Sequence, residues 1–165
     1  MCDLTKNSEN ILKLVLADKD IPIMCDWNTF ENSPGTYYNT PPVWCIYMTS
    51  LNVSYMNQMG GLDHFERMAI AKSTMLYDFL DSTNGYYVNR TQKEYRSKCN
   101  ANFRIEKNRQ LEEKLKKEAA LVKVVNINGH PANPGIRICM YNAMPFEGVA
   151  VLIKFLQKFM KENPL

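Results

Sequence analysis

The stretch Ile136-Arg-Ile-Cys-Met-Tyr141, followed by Asn142-Ala-Met-Pro145, decides how this sequence is expected to fold. In its first six residues the apolar side chains alternate with the others, which is the period-two pattern of a half-buried β-strand. Pro145 then favours the first turn of a helix. The buried stripe of that helix is predicted to consist of Val149, Leu152, Phe155, Leu156 and Phe159. A strand that leads directly into a helix indicates an α/β arrangement.

The segments before this stretch complete a compact unit over residues 85–165. Apolar residues at four-residue spacing predict an amphipathic helix over residues 107–121. Residues 128–135 are rich in glycine, proline and asparagine and predict a loop. The predicted strands are residues 86–88, 98–105, 122–127 and 136–141. The expected fold class is α/β (α+β): a two-layer small domain in which helices cover a mixed or antiparallel sheet.

Residues 1–84 are expected to belong to the end of a larger body and to carry two long helices. The first, residues 42–59, has almost no polar face, so we expect it to be covered on most sides. Gly60-Gly61 ends it by permitting a left-handed turn, and the second helix spans residues 62–81. The weaker patterns nearer the N-terminus predict a short helix at residues 8–16, a strand at residues 21–25 and a loop at residues 28–36.

The composition of the 165 residues is that of a globular chain, since 45% are hydrophobic and 22% are charged. The net charge of +3 is spread along the chain, which argues against a nucleic-acid surface. Five scattered cysteines and only two histidines make a zinc site unexpected, and reduced intracellular thiols are the simplest account. The polar N-terminus lacks the pattern of a signal peptide, and polar residues interrupt the first long helix. We therefore expect a cytoplasmic protein without a membrane or nucleic-acid partner.

Tyr38-Asn-Thr-Pro-Pro42 is the first candidate for binding an anion. Thr40 is a preferred N-cap residue and proline is favoured at the first helical position, so the stretch predicts a helix start. The dipole and the free N–H groups of a helix N-terminus attract negative charge, although Pro41 and Pro42 have no N–H to donate. The Asn39 amide, the Thr40 hydroxyl and the dipole remain available. The alternative is an ordinary capped helix that enters a core.

Gly129-His130-Pro-Ala-Asn-Pro-Gly135-Ile-Arg137 is the second candidate. A histidine in a glycine-rich loop and an arginine at a strand start suit an anionic substrate, because a guanidinium binds a carboxylate through two hydrogen bonds. The alternative is a surface turn followed by a solvated arginine. The sequence contains no nucleophile elbow, phosphate-binding loop or H-E-x-x-H motif, so no self-contained catalytic group is predicted.

Five motifs, in the same order and spacing, closely resemble the C-terminal half of the phosphoserine aminotransferase family. They are Tyr38-Asn-Thr-Pro-Pro42, Gly60-Gly-Leu62, Arg96-Ser-Lys-Cys-Asn100, Gly129-His130 with Gly135-Ile-Arg137, and Tyr141-Asn-Ala-Met-Pro145. Members of this family are fold-type-I enzymes that use pyridoxal 5′-phosphate and work as homodimers in serine biosynthesis. They transfer an amino group between glutamate and 3-phosphohydroxypyruvate. The resemblance implies that residues 1–84 end the large domain and that residues 85–165 form the small domain.

The resemblance also implies a role for each candidate residue. Asn39 and Thr40 would reach the cofactor phosphate of the neighbouring subunit. Arg137 would bind the substrate α-carboxylate, and His130 would help to bind the substrate phosphate. In the family an arginine usually follows this histidine, whereas Pro131 stands here and removes one phosphate partner.

The cofactor-binding half of the family, with its Schiff-base lysine, is expected to lie outside these residues. Neither Lys72 nor Lys98 stands in the family's Ser-Lys-Asn type of motif, so no catalytic residue is assigned. Two hypotheses follow. In the first, the chain is one piece of an aminotransferase and is inactive without the missing half. In the second, it is a naturally truncated, non-catalytic protein that keeps a dimerisation surface and modulates a full-length partner.

Overall fold

The computed structural model of the protein describes residues 22–33 and 37–165. The chain divides into two compact units, Met1–Asn52 and Val53–Leu165. The predicted boundary between two domains after residue 84 stays a prediction. Within the described ranges, no helix combines the length and the apolar character needed to cross a membrane.

A 3-10 turn at Ile23–Cys25 lies near the start of the described part of the first unit. The Cys25 amide donates to the Pro22 carbonyl over 2.7 Å, so this segment bonds to itself and not to a neighbouring strand. The strand predicted at residues 21–25 is therefore wrong over its described part. The helix predicted at residues 8–16 lies outside the described residues.

Helix α1, Trp27–Glu31, occupies the start of the segment predicted to be a loop, residues 28–36. The Asp26 carboxylate accepts a hydrogen bond from the Asn28 backbone N–H at 3.0 Å, which is the geometry of an N-cap. The loop prediction is therefore wrong over residues 28–31. A helix this short cannot show an apolar period in the sequence, and its cap is the only local signal.

Helix α2, Val43–Gln58, confirms the first predicted long helix. The Ile46 N–H donates to the Pro42 carbonyl at 3.1 Å, so Pro42 occupies the N-cap position predicted for Thr40. None of the residues in α2 is buried, and Trp44 is 70% exposed. The expectation that most of this helix is covered is therefore wrong for this chain. Its apolar side chains surround the helix and offer no single stripe to a core.

Helix α3, Gly61–Asp81, confirms the second predicted long helix. Gly60 and Gly61 have φ angles of 106° and 67°, and this left-handed conformation confirms the predicted turn between the helices. Unlike α2, α3 buries one stripe, which packs against the sheet and the last helix. The buried residues of that stripe are Phe65, Lys72, Ser73, Leu76, Tyr77, Phe79 and Leu80.

The sheet of the described residues has three antiparallel strands: β1 is Asn100–Phe103, β2 is Asn128–His130 and β3 is Asn133–Cys139. Their order is β1-β3-β2, so β3 is the central strand, and Ala101 of β1 pairs with Ile138 of β3. The predicted alternation along β3 is confirmed, because the side chains at 136, 138 and 140 are buried while Arg137 and Cys139 are half-buried. The strand predicted at residues 98–105 is confirmed in shorter form as β1.

The loop predicted for residues 128–135 is wrong, because β2 and the beginning of β3 form a hairpin there. The two strands approach so closely that a Cβ on Gly129 would lie 2.7 Å from the backbone nitrogen of Gly135. The glycines of this segment therefore allow close contact between strands and do not indicate an irregular loop.

Two of the predicted strands are wrong. Residues 86–88 form only an isolated bridge, between Val88 and Arg104. Residues 122–127 form turns in which Lys123 and Asn126 have φ angles of 63° and 60°, which a strand does not allow. Only Ile127 of this segment is buried, while Val122 and Val125 are 52% and 61% exposed, so the β-branched composition marks neither a strand nor a continuous part of the core.

One hydrophobic core fills the second unit between the sheet and the helices. Helix α4, Arg109–Leu121, and helix α5, Phe146–Glu162, confirm the predicted amphipathic helices. The Tyr87 hydroxyl donates to the Leu156 carbonyl at 2.9 Å and ties the segment before β1 to α5. Core residues with almost no exposure include Leu76, Phe103, Ile105, Leu115, Ile136, Leu156 and Phe159. The predicted α/β (α+β) class, with helices and a small antiparallel sheet, is confirmed.

Candidate functional site

Arg137 lies in the central strand β3, opposite Asn102 of β1. Its backbone N–H donates to the Ile127 carbonyl at 2.9 Å, which holds the preceding turn against the strand. Because successive side chains of a strand point to opposite faces, Arg137 stands on the face away from the core residues Ile136 and Ile138. The arginine is therefore half-buried on the polar face of the sheet, and its backbone is fixed by neighbours on both sides.

Two buried polar atoms on this face have no hydrogen-bond partner among the described residues: the Nε of Arg137 and the Oδ1 of Asn100. Asn100 pairs with Cys139, two positions along β3, so its side chain points to the same face as that of Arg137. An unpaired buried polar group costs about 1–3 kcal/mol, and native proteins nearly always supply a partner. The Arg137 Nε needs an acceptor and the Asn100 Oδ1 needs a donor, so a group that does both, such as a water, would satisfy the two atoms.

A cavity of about 660 Å³ adjoins Arg137. This volume lies within the range of small-molecule sites. Its walls are mostly apolar and come from the turns at residues 122–127, from residues 143–145 and from the beginning of α5. A largely apolar cavity lined by an arginine suits a small organic anion, because a guanidinium makes strong charged hydrogen bonds to a carboxylate.

His130 ends β2 and is exposed. Its Nδ1 accepts a hydrogen bond from the backbone N–H of Ala132 at 3.1 Å. The proton of the neutral imidazole is therefore on Nε2, which is the nitrogen available to donate to a ligand. The hairpin places His130 and Arg137 on neighbouring strands, but only Arg137 lines the cavity.

Asn39 and Thr40 lie in the first unit, in the non-helical segment before α2, and both are exposed. The Asn39 amide nitrogen makes a long contact of 3.8 Å with the Met24 sulfur. An exposed amide and an exposed hydroxyl beside a helix N-terminus fit the oxygens of a phosphate group as hydrogen-bond donors. Since Pro41 and Pro42 have no N–H, the side chains carry this capacity.

Lys72 is a buried cation to which the sequence motifs assign no role. It is 2% exposed, and its Nζ donates to the carbonyls of Tyr141 and Met144, each at 2.8 Å. Burial lowers the pKa of Lys72 from its ordinary value, and the nearby Cys99 partly opposes this change. One feature of the sequence indicates that Lys72 is buried: it stands on the apolar stripe of α3, one turn before Leu76. A lysine at such a position needs polar partners.

A partly buried ion pair supports the strand that carries Arg137. Glu112 of α4 accepts hydrogen bonds from the Arg104 Nε at 3.1 Å, from the Arg104 Nη2 at 3.3 Å and from the Ile105 N–H at 2.9 Å. Gly135, with a φ angle of 131°, lies against this arginine, and a Cβ there would be 2.9 Å from the Arg104 Cγ. The start of β3 therefore packs on a side chain that α4 holds in place.

The family described as Aminotransferase class-V matches residues 19–152, most of the chain. The chain therefore belongs to the class-V aminotransferase family.

Its curated relatives carry the name phosphoserine aminotransferase. A protein of Dictyostelium discoideum named probable phosphoserine aminotransferase is 39% identical over 126 residues, which are 76% of this chain and 34% of the relative. The phosphoserine aminotransferase of Campylobacter jejuni subsp. jejuni is 36% identical over 142 residues, which are 86% of this chain and 39% of the relative.

Solved structures give the same family. The phosphoserine aminotransferase of Bacillus circulans subsp. alkalophilus matches with a TM-score of 0.80 and 29% identity, covering 88% of this chain and 40% of that one. A pyridoxal-phosphate-bound phosphoserine aminotransferase from Trichomonas vaginalis matches with a TM-score of 0.75 and 28% identity, covering 85% and 39%. The chain spans 34% and 39% of the length of the two curated relatives above.

Proposed function

We propose that this chain forms the C-terminal portion of a phosphoserine aminotransferase. That enzyme exchanges an amino group between glutamate and 3-phosphohydroxypyruvate, giving 2-oxoglutarate and phosphoserine in serine biosynthesis. The observation that carries the proposal is Arg137, which lines the cavity and whose buried Nε has no hydrogen-bond partner among the described residues. A guanidinium is the side chain best matched to a carboxylate, and every proposed substrate carries an α-carboxylate.

In this proposal Arg137 binds and orients the α-carboxylate of the amino or keto acid. Because β3 is the central strand of the sheet, the backbone of Arg137 has little freedom to move. A fixed carboxylate places the substrate Cα at a defined distance from the sheet, which is the kind of positioning that speeds a reaction.

His130 contributes a second, weaker contact at the hairpin end. Its Nε2–H is the free donor, and we assign it to the substrate phosphate. Pro131 supplies no cation beside it, so the phosphate is held by fewer charges than in the usual family pattern. The proposal therefore includes a reduced preference for phosphorylated over unphosphorylated substrates.

Pyridoxal 5′-phosphate, when bound, supplies the electron sink that makes the bonds at the substrate Cα reactive. Asn39 and Thr40 would donate hydrogen bonds to its phosphate, across the interface of a homodimer. The lysine that anchors the cofactor would come from the remainder of the enzyme, because neither Lys72 nor Lys98 stands in the family's lysine motif and the Lys72 Nζ is bonded to two carbonyls. The proposed compartment is the cytoplasm, where scattered cysteines stay reduced.

The test combines the chain with the cofactor-binding half of a relative and measures transamination from glutamate. Arg137→Ala is expected to raise KM for each amino and keto acid about tenfold to a hundredfold, because a charged hydrogen-bonded contact contributes about 1.5–3 kcal/mol. Arg109, which is exposed at the start of α4, supplies the matched control Arg109→Ala. An unchanged KM for glutamate in Arg137→Ala would remove Arg137 from the carboxylate role.

Helix α2 favours a second candidate function. None of its residues is buried in this chain, and its exposed surface includes Trp44, Tyr47 and Leu51. In this second function the chain is non-catalytic and binds a full-length aminotransferase subunit through the surface of α2. Mixing the chain with the cofactor-binding half of a relative would then give no transamination. The chain would also change the size and activity of a full-length enzyme on mixing, which size-exclusion chromatography with an activity assay measures.

A further inference from the structure

Lys72 is a buried titratable group that the proposed function leaves without a role. Within the described residues its ammonium pairs with no carboxylate and donates instead to the carbonyls of Tyr141 and Met144. Burying a charge is costly unless hydrogen bonds compensate for the lost water. A lysine here is therefore explained by these two contacts.

Both carbonyls belong to the turn between β3 and α5, residues 141–144. The Met144 N–H donates to the Tyr141 carbonyl at 2.9 Å, so this one carbonyl accepts from the turn itself and from Lys72. The other side of the turn presses on α5, because a Cβ on Gly148 would lie 2.8 Å from the Met144 sulfur. The turn is held between two helices, and Lys72 bonds it to α3.

The same turn shapes the cavity beside Arg137. Ala143, Met144 and Pro145 line the cavity together with Arg137, and β3 runs from this arginine directly into the turn. A displacement of the turn would therefore change the width of the cavity on the arginine side. The buried charge of Lys72 also adds positive potential behind this wall, which favours an anion.

We propose that Lys72 is a positioning residue: its ammonium holds the turn at residues 141–144 in place and thereby sets the cavity wall against which Arg137 binds an anionic ligand. The statement about the turn stands on the contacts alone. The statement about the ligand rests on the proposed function.

Hydrogen–deuterium exchange of the full chain tests whether Lys72 holds the turn in place. Lys72→Met keeps most of the apolar side chain and removes the donor, while Arg67→Met changes an exposed cation on the same helix and is the matched control. We expect exchange at residues 141–148 to become about tenfold faster in Lys72→Met and to stay unchanged in Arg67→Met. Unchanged exchange in Lys72→Met would overturn the proposal.

A measurement on the wild-type chain decides the case in which Lys72→Met does not fold. In an NMR spectrum of the chain labelled with nitrogen-15 and carbon-13, a lysine ammonium that donates to two buried carbonyls exchanges slowly with water. It also shows couplings across the hydrogen bonds to the carbonyl carbons of Tyr141 and Met144. Rapid solvent exchange of the Lys72 ammonium, without these couplings, would refute the assigned contact.

Kinetics of the two-part enzyme tests whether Lys72 affects binding of the ligand beside Arg137. Lys72→Met is expected to raise KM for glutamate and 2-oxoglutarate about tenfold and to change kcat less than about twofold. A purely structural role would lower the unfolding midpoint and leave KM of the folded enzyme unchanged, which would overturn the ligand part. If the wild-type enzyme fails to transaminate, the proposed function fails, and the exchange and NMR experiments still decide the role of Lys72.

Discussion

Replacing Glu112 by glutamine removes one charge and one acceptor from the contact between α4 and β1. The wild-type carboxylate accepts two hydrogen bonds from Arg104 and one from the Ile105 N–H. Glutamine has the same size, so the substitution creates no cavity. It keeps only one acceptor oxygen, and its amide nitrogen faces groups that are themselves donors.

The size of the effect follows from these contacts. Glu112 is 4% exposed and the Arg104 side chain is 22% exposed, so water screens the pair only in part. Oε1 of Glu112 accepts from both the Ile105 N–H and the Arg104 Nε, so a glutamine oxygen in its place can keep these two bonds. The bond from the Arg104 Nη2 to Oε2 is lost, together with the negative charge, and the new amide nitrogen faces a donor. A hydrogen bond to a charged group contributes about 1.5–3 kcal/mol, and partial screening reduces this contribution. We therefore expect the free energy of unfolding to fall by about 2 kcal/mol.

Urea unfolding followed by circular dichroism measures this loss. Glu113→Gln is the matched control, because the Glu113 side chain is 67% exposed and contacts Lys116 at 2.7 Å on the surface. Its loss is expected to stay below about 0.5 kcal/mol. Equal losses in the two variants would refute the reasoning, since the difference in burial would then have no energetic consequence.

The remaining predictions concern the core and the acid stability of the second unit. Leu156 has 0% exposure, so Leu156→Ala is expected to lower the free energy of unfolding in urea by about 3 kcal/mol, and Val151→Ala, at a 55% exposed position of the same helix, is the control. Arg96 donates to both carboxylate oxygens of Asp81, at 2.8 and 2.9 Å, and holds the pKa of Asp81 below its ordinary value of 3.8. A lowered folded pKa stabilises the fold above pH 3.8, and this stabilisation is lost as the pH falls through the folded pKa. Asp81→Asn should therefore flatten the fall of the unfolding free energy in acid, measured by urea titrations at successive pH values.

Each of these two predictions has an outcome that contradicts it. A loss below about 1 kcal/mol in Leu156→Ala would show that α5 does not supply the core as described. Superimposable pH profiles for wild type and Asp81→Asn would show that the contact with Arg96 does not differ between the folded and unfolded chain.

The elements that the sequence predicts well are those with a sustained apolar period. Helices α3, α4 and α5 and the central strand β3 follow from such periods. Helix α2 follows instead from its boundaries, which are Pro41-Pro42 before it and Gly60-Gly61 after it. The hairpin at residues 128–135 does not, because Gly129 and Gly135 read as loop residues although they serve close strand contact. Residues 122–127 fail in the opposite way: their β-branched side chains suggest a strand, while the left-handed Lys123 and Asn126 turn the backbone away from one.

In the candidate site, too, local sequence patterns predict some features and fail to predict others. The position of Arg137 on the polar face of a strand could be predicted, because alternation fixes the face. The lack of a partner for its Nε and for the Asn100 Oδ1 among the described residues could not be predicted, since it depends on pairing between strands far apart in the sequence. The bonds from Lys72 to Tyr141 and Met144 join residues from different elements, which no local pattern encodes.

The distribution of burial has a practical consequence for making the protein. Every buried side chain of the described residues lies at or beyond Phe65, and none lies in the described part of Met1–Asn52. A shortened version that begins at the Gly60–Gly61 turn would keep the whole core, the cavity and Arg137 while shedding the apolar surface of α2. Such a version offers a smaller and less adhesive target for labelling, crystallisation and ligand screening.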